Sequence, residues 1–96
     1  MIKGFADKVT QDVYDNTNSK HSRKLSRSLH PKARRLLDQI NAAPSKEFLR
    51  IPPGNRLEKL SGDLEGHLSL RINDQWRIIF RWSGDDALEV KITDYH

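Results

Sequence analysis

The fold is decided by the stretch Leu68-Ser69-Leu70-Arg71-Ile72-Asn73-Asp74-Gln75-Trp76-Arg77-Ile78-Ile79-Phe80. Apolar and polar side chains alternate on both sides of its polar centre, and a period of two is typical of half-buried strands joined by a tight turn. If the apolar side chains of both arms share one face, the numbers of opposite residues must sum to an even value. A turn centred on Asp74 meets this condition, so we predict a hairpin with Ile72 opposite Trp76 and Leu70 opposite Ile78.

The same register predicts two pairs of basic residues on the other face of the hairpin. Arg71 lies opposite Arg77 in this register, and His67 lies opposite Arg81. Like charges directly opposite each other destabilise a sheet by roughly 0.2–1 kcal/mol. We therefore hypothesise that this face binds an anion. The alternative interpretation is that these arginines are merely solvated on a half-exposed sheet.

Strand periodicity extends over most of the second half of the chain, from Leu57 onward. In the last strand, the predicted core-facing residues are Leu88, Val90 and Ile92. Gly62-Asp63 and Gly84-Asp85-Asp86 supply the remaining turns. Trp76 and Trp82 alternate in phase with the core and are interpreted as packing residues. The pattern predicts an antiparallel sheet of three to four strands.

The first half of the chain carries mainly helical periodicity. Ile2 and Phe5 fit a short first strand, and a short helix around Val9, Val13 and Tyr14 would place Asp12 and Asp15 outward. The polar run of residues 15–22 is interpreted as a loop with little to bury. A second helix begins near Pro31 and ends at residues 41–44. Its apolar residues recur at helical spacing, at Ala33, Leu36, Leu37 and Ile40.

These elements predict one α+β domain over residues 1–96. A short N-terminal strand and two helices precede the antiparallel sheet, and the helices cover one sheet face. Between helix and sheet, residues 45–50 fit either a helical turn or an extended connector. Pro52-Pro53-Gly54 predicts a rigid turn before the first strand of the sheet.

Composition restricts the chemistry that the chain can perform. The absence of cysteine excludes disulfides, a thiolate nucleophile and cysteine-ligated zinc. No zinc pattern, phosphate-binding glycine loop or nucleophile elbow occurs, so no metal or cofactor is predicted, and chemistry must come from Arg, Tyr, His and carboxylate side chains. No apolar run resembles a signal peptide or reaches the ~20 residues of a membrane helix. We therefore predict a cytoplasmic protein with no membrane partner.

Positive charge is concentrated in residues 20–35. The chain has 17 Lys and Arg against 13 Asp and Glu, a net charge of +4. Residues 20–35 contain no acid, and their cations are Lys20, Arg23, Lys24, Arg27, Lys32, Arg34 and Arg35. Such a segment suits an anionic partner, either a nucleic acid or an acidic protein. His21 and His30 are interpreted as surface residues, and His67 as a surface or groove-lining residue.

Three further motifs accompany the hairpin. They are the opening Met1-Ile2-Lys3-Gly4-Phe5, the stretch Arg56-Leu57-Glu58-Lys59-Leu60-Ser61-Gly62-Asp63-Leu64-Glu65-Gly66, and the closing Asp94-Tyr95-His96. With the hairpin's Trp-Arg-Ile turn exit, they resemble the HigB branch of the RelE/ParE toxin superfamily. The resemblance covers nearly the whole chain and is weakest over residues 14–35.

The resemblance implies a RelE-like fold, with helices packed on a curved antiparallel sheet, and the toxin of a type II toxin–antitoxin system. Members typically enter the ribosomal A site and cut mRNA there, so an endoribonuclease, or mRNA interferase, that inhibits translation is expected. Each member is neutralised by an antitoxin, here expected to be a HigA-type helix-turn-helix protein. Operator DNA would be contacted only through that antitoxin. The other implied partners are ribosomal RNA and mRNA.

The resemblance also implies roles for individual residues. Arg77 matches the family's arginine after the turn and is expected to stabilise phosphate charge, and Arg71 would grip the same or a neighbouring phosphate. Tyr95 would stack on or orient the scissile nucleotide, and His96 would exchange a proton near neutral pH. Asp94 would hold one of these two in position. The expected RNA-binding residues are Lys20, Arg23, Lys24, Arg27, Arg34, Arg56 and Lys59.

One motif departs from the family pattern. Better-known HigB members carry a histidine and a lysine in the strand before the Gly-Asp turn, where this sequence has Glu58 and Ser61. Glu58 could serve as the catalytic base, with Arg56 or Lys59 supplying the missing cation. Alternatively, the enzyme is slow, or Glu58 is simply an exposed strand carboxylate.

Two other functions are compatible with the same fold. A ParE-like toxin would inhibit DNA gyrase without catalysis of its own. A degenerate member would only bind its antitoxin and co-repress transcription. The Tyr95-His96 ending favours the nuclease, because a protein that only binds has no need of proton-transfer groups at that site.

Overall fold

Two helices precede a four-stranded antiparallel sheet along the chain. A computed structural model describes residues 1–94. The elements are α1 (Lys8–Tyr14), α2 (His30–Ala42), β1 (Glu58–Lys59), β2 (His67–Arg71), β3 (Trp76–Ser83) and β4 (Asp86–Asp94). The strands lie in the order β1-β2-β3-β4. The α+β architecture predicted from the sequence is therefore confirmed.

The β2–β3 hairpin has the register that its hydrophobic pattern predicts. Leu70 pairs with Ile78, Arg71 with Arg77, and His67 with Arg81. The Asn73 side chain caps the turn by accepting hydrogen bonds from the backbone N–H groups of Gln75, at 2.9 Å, and Trp76, at 2.7 Å. A local Asn–backbone bond of this kind stabilises a tight turn, which in turn fixes the register.

A β-bulge in β4 changes which residues of that strand face the core. Ile79 pairs with Lys91 but Arg81 pairs with Leu88, so β4 contains one extra residue between these positions. Glu89 has a φ of +52°, in the left-handed region that bulges can use. The prediction that Leu88 faces the core is wrong. Because the bulge reverses the alternation, Ala87 is buried in its place.

The predicted first strand is present only as two isolated parallel bridges to β4. Ile2 is bridged to Ala87 and Phe5 to Val90. The Lys3 N–H donates to the Ala87 carbonyl at 2.8 Å, and the Ala6 N–H donates to the Val90 carbonyl at 2.9 Å. The two contacts lie on either side of the bulge, which breaks the edge of β4 and prevents continuous pairing.

Both helices pack on one face of the sheet, as predicted. The core combines helical side chains such as Leu36 and Ile40 with strand side chains such as Leu70 and Phe80, all fully buried. Trp76 and Trp82 are partly buried against this core, which confirms their packing role. The opposite face, which we call the outer face, carries the residues that alternate with the core positions. They include Glu58, His67, Ser69, Arg71, Arg77, Ile79, Arg81, Lys91 and Thr93.

The prediction that Asp12 of α1 points outward is wrong. Its side chain is buried, and it accepts a hydrogen bond from the Ser19 hydroxyl at 2.7 Å and pairs with Lys8 at 3.3 Å. The Ser19 hydrogen bond lowers the pKa of Asp12 below its ordinary value, aided by Lys8 and opposed by burial. Ser22 is also buried, so the run of residues 15–22 folds back onto α1 and has more to bury than its composition suggests.

The connection between α2 and β1 is built from short 3-10 turns. Residues Lys46–Arg50 form one turn, which resolves the open choice for this segment in favour of a helical turn. Pro53–Asn55 form the next, and the buried Asn55 side chain donates to the Gln39 side chain at 3.0 Å and to the Ile51 carbonyl at 3.2 Å. None of the helices within residues 1–94 is long and apolar enough to cross a membrane.

Candidate functional site

Two guanidinium groups lie next to each other on the outer face. Arg71 and Arg77 occupy directly opposite positions of the β2–β3 hairpin. Cβ atoms of such pairs are about 4.5–5.5 Å apart, so both side chains can reach one anion. Because β1 and β4 flank this strand pair, the backbone positions of both arginines are fixed.

Arg77 is the more enclosed of the two. Its side chain is only 15% exposed and lies 3.7 Å from the Glu58 carboxylate, measured from Nη1 to Oε1. The same Nη1 donates a hydrogen bond to the hydroxyl of the fully buried Ser69 at 3.3 Å. β1 and β2 bring these partners together, because Glu58 pairs directly with Ser69. Glu58 and Arg77 therefore form an ion pair on the outer face.

Arg71 is held at the turn end of the hairpin. Its Nη2 is paired with the Asp74 carboxylate three residues later. The side chain of Asp74 is 94% exposed, against 29% for Arg71. An ion pair this exposed is weak, so an incoming phosphate can compete for Arg71.

Ser69 and Asp74 complete this cluster, and sequence reasoning did not identify either as a site residue. Ser69 could have been found from the predicted register, which places it on the same face as Arg71 and Arg77. The signal for Asp74 was its position three residues after Arg71 in the turn. Neither residue belongs to a recognisable catalytic motif, because both act through an arginine.

The predicted C-terminal group is only partly within the described residues. Asp94 pairs with Trp76, so its side chain leaves the sheet on the helix face rather than the outer face. Its Oδ2 accepts a hydrogen bond from the Gln75 side chain at 3.0 Å. Tyr95 and His96 lie outside the described residues, and their predicted roles stay predictions.

Lys59 does not lie beside Glu58 on the outer face. It pairs with Leu68, so it points toward the helix side of the sheet edge. There it lines a cavity of about 340 Å³ together with Lys46, Glu65 and Trp82. Arg56 is exposed in the turn before β1, where its φ is +50°. The structure thus does not place the Lys59 side chain beside Glu58 and Arg77.

His67 occupies the outer face at the far end of β2 from Arg71. Its Nδ1 lies 3.2 Å from the Leu64 carbonyl, and its Nε2 lies 3.8 Å from a carboxylate oxygen of Glu89. The first contact requires a proton on Nδ1. His67 also lines the 340 Å³ cavity, which fits its interpretation as a groove-lining residue.

The basic segment lies in the helix layer, on the other side of the sheet from Arg71 and Arg77. Its 3-10 turns, Ser22–Lys24 and Arg27–Leu29, lead into α2, and the first of them packs against α1. The predicted RNA-binding residues of the segment are Lys20, Arg23, Lys24, Arg27 and Arg34, of which only Arg34 is partly buried. They form a second positive surface.

His30 is not the surface residue that the sequence suggested. Its side chain is partly buried, and Nε2 lies 3.0 Å from the Ser22 carbonyl and 2.9 Å from the Leu25 carbonyl. Since both partners can only accept, Nε2 carries a proton and donates to them. The ring therefore ties the basic segment to the first turn of α2.

The outer face thus carries two arginines on one strand pair and a carboxylate within reach of one of them, and a basic surface lies behind the sheet. Solved structures with the same fold include two of YoeB from Staphylococcus aureus. The YoeB–YefM complex has a TM-score of 0.59 and 20% identity, covering 100% of this chain and 95% of that chain. The YoeB dimer has a TM-score of 0.55 and 21% identity, covering 100% and 93%.

Sequence comparison identifies the family. The family model described as HigB-like toxin, "RelE-like toxin of type II toxin-antitoxin system HigB", matches residues 3–96. Toxin HigB-1 of Vibrio cholerae is 40% identical over 88 residues, which are 92% of this chain and 90% of that protein. An uncharacterised protein of Haemophilus influenzae is 33% identical over 77% of this chain and 69% of its own length. The chain belongs to the HigB branch of the RelE-like toxins of type II toxin–antitoxin systems.

Proposed function

We propose that this toxin is an endoribonuclease that enters the ribosome and cuts mRNA there without a metal ion. The observation that carries the proposal is the pairing of Arg71 and Arg77 on the outer face, with Glu58 3.7 Å from Arg77. Membership of the HigB branch supports it. The position of the two arginines suits a phosphate that gains negative charge during a reaction.

The cleavage step needs three groups around one phosphate: a base, an acid and a cation that stabilises the phosphate charge. A base removes the proton of the ribose 2′-hydroxyl, the 2′-oxygen bonds to phosphorus, and the bond from phosphorus to the 5′-oxygen breaks. An acid then protonates the leaving 5′-oxygen, so the products are a 2′,3′-cyclic phosphate and a 5′-hydroxyl. Acid–base help of this kind is worth roughly 10²–10⁴-fold in rate.

Residues on the outer face take two of these parts. Arg77 binds the non-bridging oxygens, where a guanidinium can form two parallel hydrogen bonds. Arg71 leaves its exposed partner Asp74 and grips the same or the next phosphate. Glu58, already oriented by Arg77, accepts the 2′-hydroxyl proton. Ser69 supports the Arg77 guanidinium from below through its 3.3 Å hydrogen bond.

The C-terminal residues take the remaining parts in this proposal. His96 supplies the acid because an imidazole exchanges protons near neutral pH. Tyr95 stacks on or orients the scissile nucleotide, and Asp94 helps to hold the terminus. These three assignments rest on the family's closing Asp-Tyr-His motif.

The proposal includes the toxin's partners. The positive surface of the helix layer contacts ribosomal RNA, with Arg56 and Lys59 as further cations near the sheet edge. A HigA-type helix-turn-helix antitoxin neutralises the toxin and carries it to operator DNA. The structure of the YoeB–YefM complex, and the family's description as the toxin of a toxin–antitoxin system, support a protein partner. The site of action is the cytoplasm.

Expression of the toxin without its antitoxin tests this function. Wild type should arrest growth and shorten translated mRNAs, which is measured by mapping new 5′ ends across the transcriptome. Arg77→Ala and deletion of His96 should abolish both effects. Arg50→Ala, which removes an exposed arginine of the Lys46–Arg50 turn, is the matched control and should behave as wild type.

Two results would contradict the proposal. Growth arrest with intact mRNA and broken DNA would indicate a ParE-like inhibitor of gyrase. Absence of arrest for wild type, with antitoxin binding and operator repression retained, would indicate a degenerate toxin that acts as a co-repressor.

A further inference from the structure

Two arginines of the helix layer are held by neutral amide side chains. Arg23 donates from Nη1 to the Asn18 side-chain oxygen at 3.0 Å. Arg34 donates from Nη1 to the Asn16 side-chain oxygen at 3.2 Å. The two asparagines are separated by one residue, so these contacts originate within about 7 Å of each other along the chain. They fix the direction of two guanidinium groups on one small surface.

An amide partner orients a guanidinium without neutralising it. A carboxylate in the same place would cancel the positive charge that a ligand anion needs. Residues 16–37 contain no acid, and within residues 1–94 neither Arg23 nor Arg34 takes part in a salt bridge. The carboxylate at helical spacing from Arg34 is Asp38, which lies by the Tyr14 hydroxyl. Burial and Asp38 together raise the pKa of Tyr14.

The asparagines sit on a loop that is itself firmly held. Asn16 has a φ of +58°, a left-handed conformation that asparagine tolerates better than most residues. The next N–H, that of Thr17, donates to the Asp12 carbonyl at 2.8 Å, and the Ser19 hydroxyl donates to the Asp12 carboxylate at 2.7 Å. The loop can therefore hold both arginines in place before a ligand arrives.

A cavity of about 40 Å³ opens beside Arg23, between the asparagine loop and the basic segment, and Arg34 does not line it. Arg23, Arg27 and His30 line it from the basic segment, and the two asparagines line it from the loop. No large apolar side chain lines it. Protein–protein interfaces are usually centred on buried aromatic or aliphatic anchors, so this surface fits a strongly hydrated phosphate chain better than an acidic peptide. The exposed apolar residues Phe48 and Ile51 lie elsewhere, at the end of α2.

We propose that Arg23 and Arg34, assisted by Arg27, form a site for RNA backbone phosphates on the helix layer, and that Asn16 and Asn18 are its positioning residues. The inference rests on the proposed function, since it assigns RNA to a surface remote from the cleavage face. The toxin is then held by RNA on two sides: the substrate strand on the outer face, and a second RNA segment behind the sheet.

Replacement of each asparagine by aspartate tests the proposal, because it should lower affinity for ribosomes without lowering the stability of the protein. Asn18→Asp keeps the hydrogen bond to Arg23 but converts it into an ion pair that cancels the charge. Stability should therefore stay equal or rise, while affinity for purified ribosomes falls about tenfold or more. Asn16→Asp should do the same through Arg34. A purely structural role predicts no loss of ribosome affinity.

Asn41→Asp is the matched control. Its side-chain oxygen also accepts a hydrogen bond, from the Ile2 N–H at 2.9 Å, and the change in net charge is the same. Ribosome binding is measured by sedimentation at several salt concentrations, with thermal unfolding of each variant measured in parallel. For Asn18→Asp, the slope of log affinity against log salt should become shallower by about 0.7–0.9 per lost phosphate contact. Asn41→Asp should keep the wild-type slope.

The possible outcomes separate this inference from the proposed function. Equal affinity of wild type, Asn18→Asp and Asn41→Asp for ribosomes would overturn the phosphate site and leave the nuclease intact. Weaker binding of Asn18→Asp to the antitoxin, with ribosome binding unchanged, would assign the surface to an acidic protein and also overturn it. Failure of wild type to bind or cut on ribosomes would refute the proposed function itself. Should Asn18→Asp unfold, Arg23→Gln provides the same comparison and should lose the same affinity.

Discussion

Replacement of Glu58 by glutamine separates the two roles that its position allows. The carboxylate lies 3.7 Å from Arg77 and is 49% exposed, so the ion pair contributes only about 0.2–1 kcal/mol to stability. Loss of a catalytic base costs roughly 10²–10⁴-fold in rate, or about 3–5 kcal/mol of activation free energy. Glu58→Gln should therefore reduce cleavage far more than it reduces stability.

The assay is single-turnover cleavage of mRNA in stalled ribosomes, with toxin in excess so that weaker binding does not affect the rate. Denaturant unfolding of the same variant gives the change in stability. Glu65→Gln is the matched control, because this exposed glutamate lies beyond β1, in the connection to β2. It should keep the wild-type rate.

A wild-type rate for saturated Glu58→Gln would refute the assignment of the base. A faster rate would do so more strongly, since it would mean that the carboxylate merely restrains Arg77 and opposes the phosphate. Either result would leave the general base to a residue near the C-terminus.

Three further predictions concern the fold and the second arginine. Thr10→Val should lower stability by about 1–3 kcal/mol, because the Ile92 N–H, which donates to the buried Thr10 hydroxyl at 2.8 Å, then has no partner. Urea unfolding measures the change, and the control Thr10→Ser should retain most of the stability. A Thr10→Val protein as stable as wild type would contradict this contact between α1 and β4. The pKa of Asp12 is lower in the folded chain than its ordinary 3.8, so its contribution to stability is fully present above pH 3.8 and is lost as the pH falls through the folded value. In urea unfolding between pH 2.5 and 6, the stability of wild type should therefore fall more steeply toward low pH than that of Asp12→Asn. Parallel stability curves for the two proteins would refute this contribution of Asp12. Asp74→Asn should release Arg71 and tighten ribosome binding by up to about fivefold, the equivalent of ~1 kcal/mol. Sedimentation with ribosomes measures the affinity. Weaker binding would contradict the prediction and show that Asp74 orients Arg71 for binding.

The central hairpin could be predicted because residues close together in the sequence determine its strands, turn and register. Alternation on both sides of Asn73-Asp74-Gln75 favours a turn centred on Asp74, which puts the alternating apolar residues of both arms on one face, and Arg71 opposite Arg77 follows from this register. The bulge in β4 could not be predicted in this way. No sequence pattern marks a glutamate with positive φ. The extra residue inverts the alternation of inward and outward side chains in β4, so Ala87 lies in the core where the sequence predicts Leu88.

The rest of the site depended on contacts between distant residues. The helical spacing of Val9 and Val13 predicts an outward Asp12, whereas its side chain is buried beside Ser19, which lies seven residues later in a polar loop. The position of Lys59 next to Glu58 in the sequence suggests a replacement for the missing cation, but strand alternation turns its side chain to the other face of the sheet. His30 looked like a surface residue because its partners are backbone carbonyls, which no side-chain pattern reveals. Tyr95 and His96 lie outside the described residues.

The measurement that tests the account most directly is the chemistry of the RNA ends made by purified toxin on ribosomes that hold a defined mRNA. Wild type should cut inside the ribosome-covered region and leave a 5′-hydroxyl and a cyclic phosphate, whereas Arg77→Ala should cut at least about 10²-fold more slowly. Intact mRNA with wild type, or equal cutting by Arg77→Ala, would show that the arginine pair on the outer face does not perform RNA cleavage.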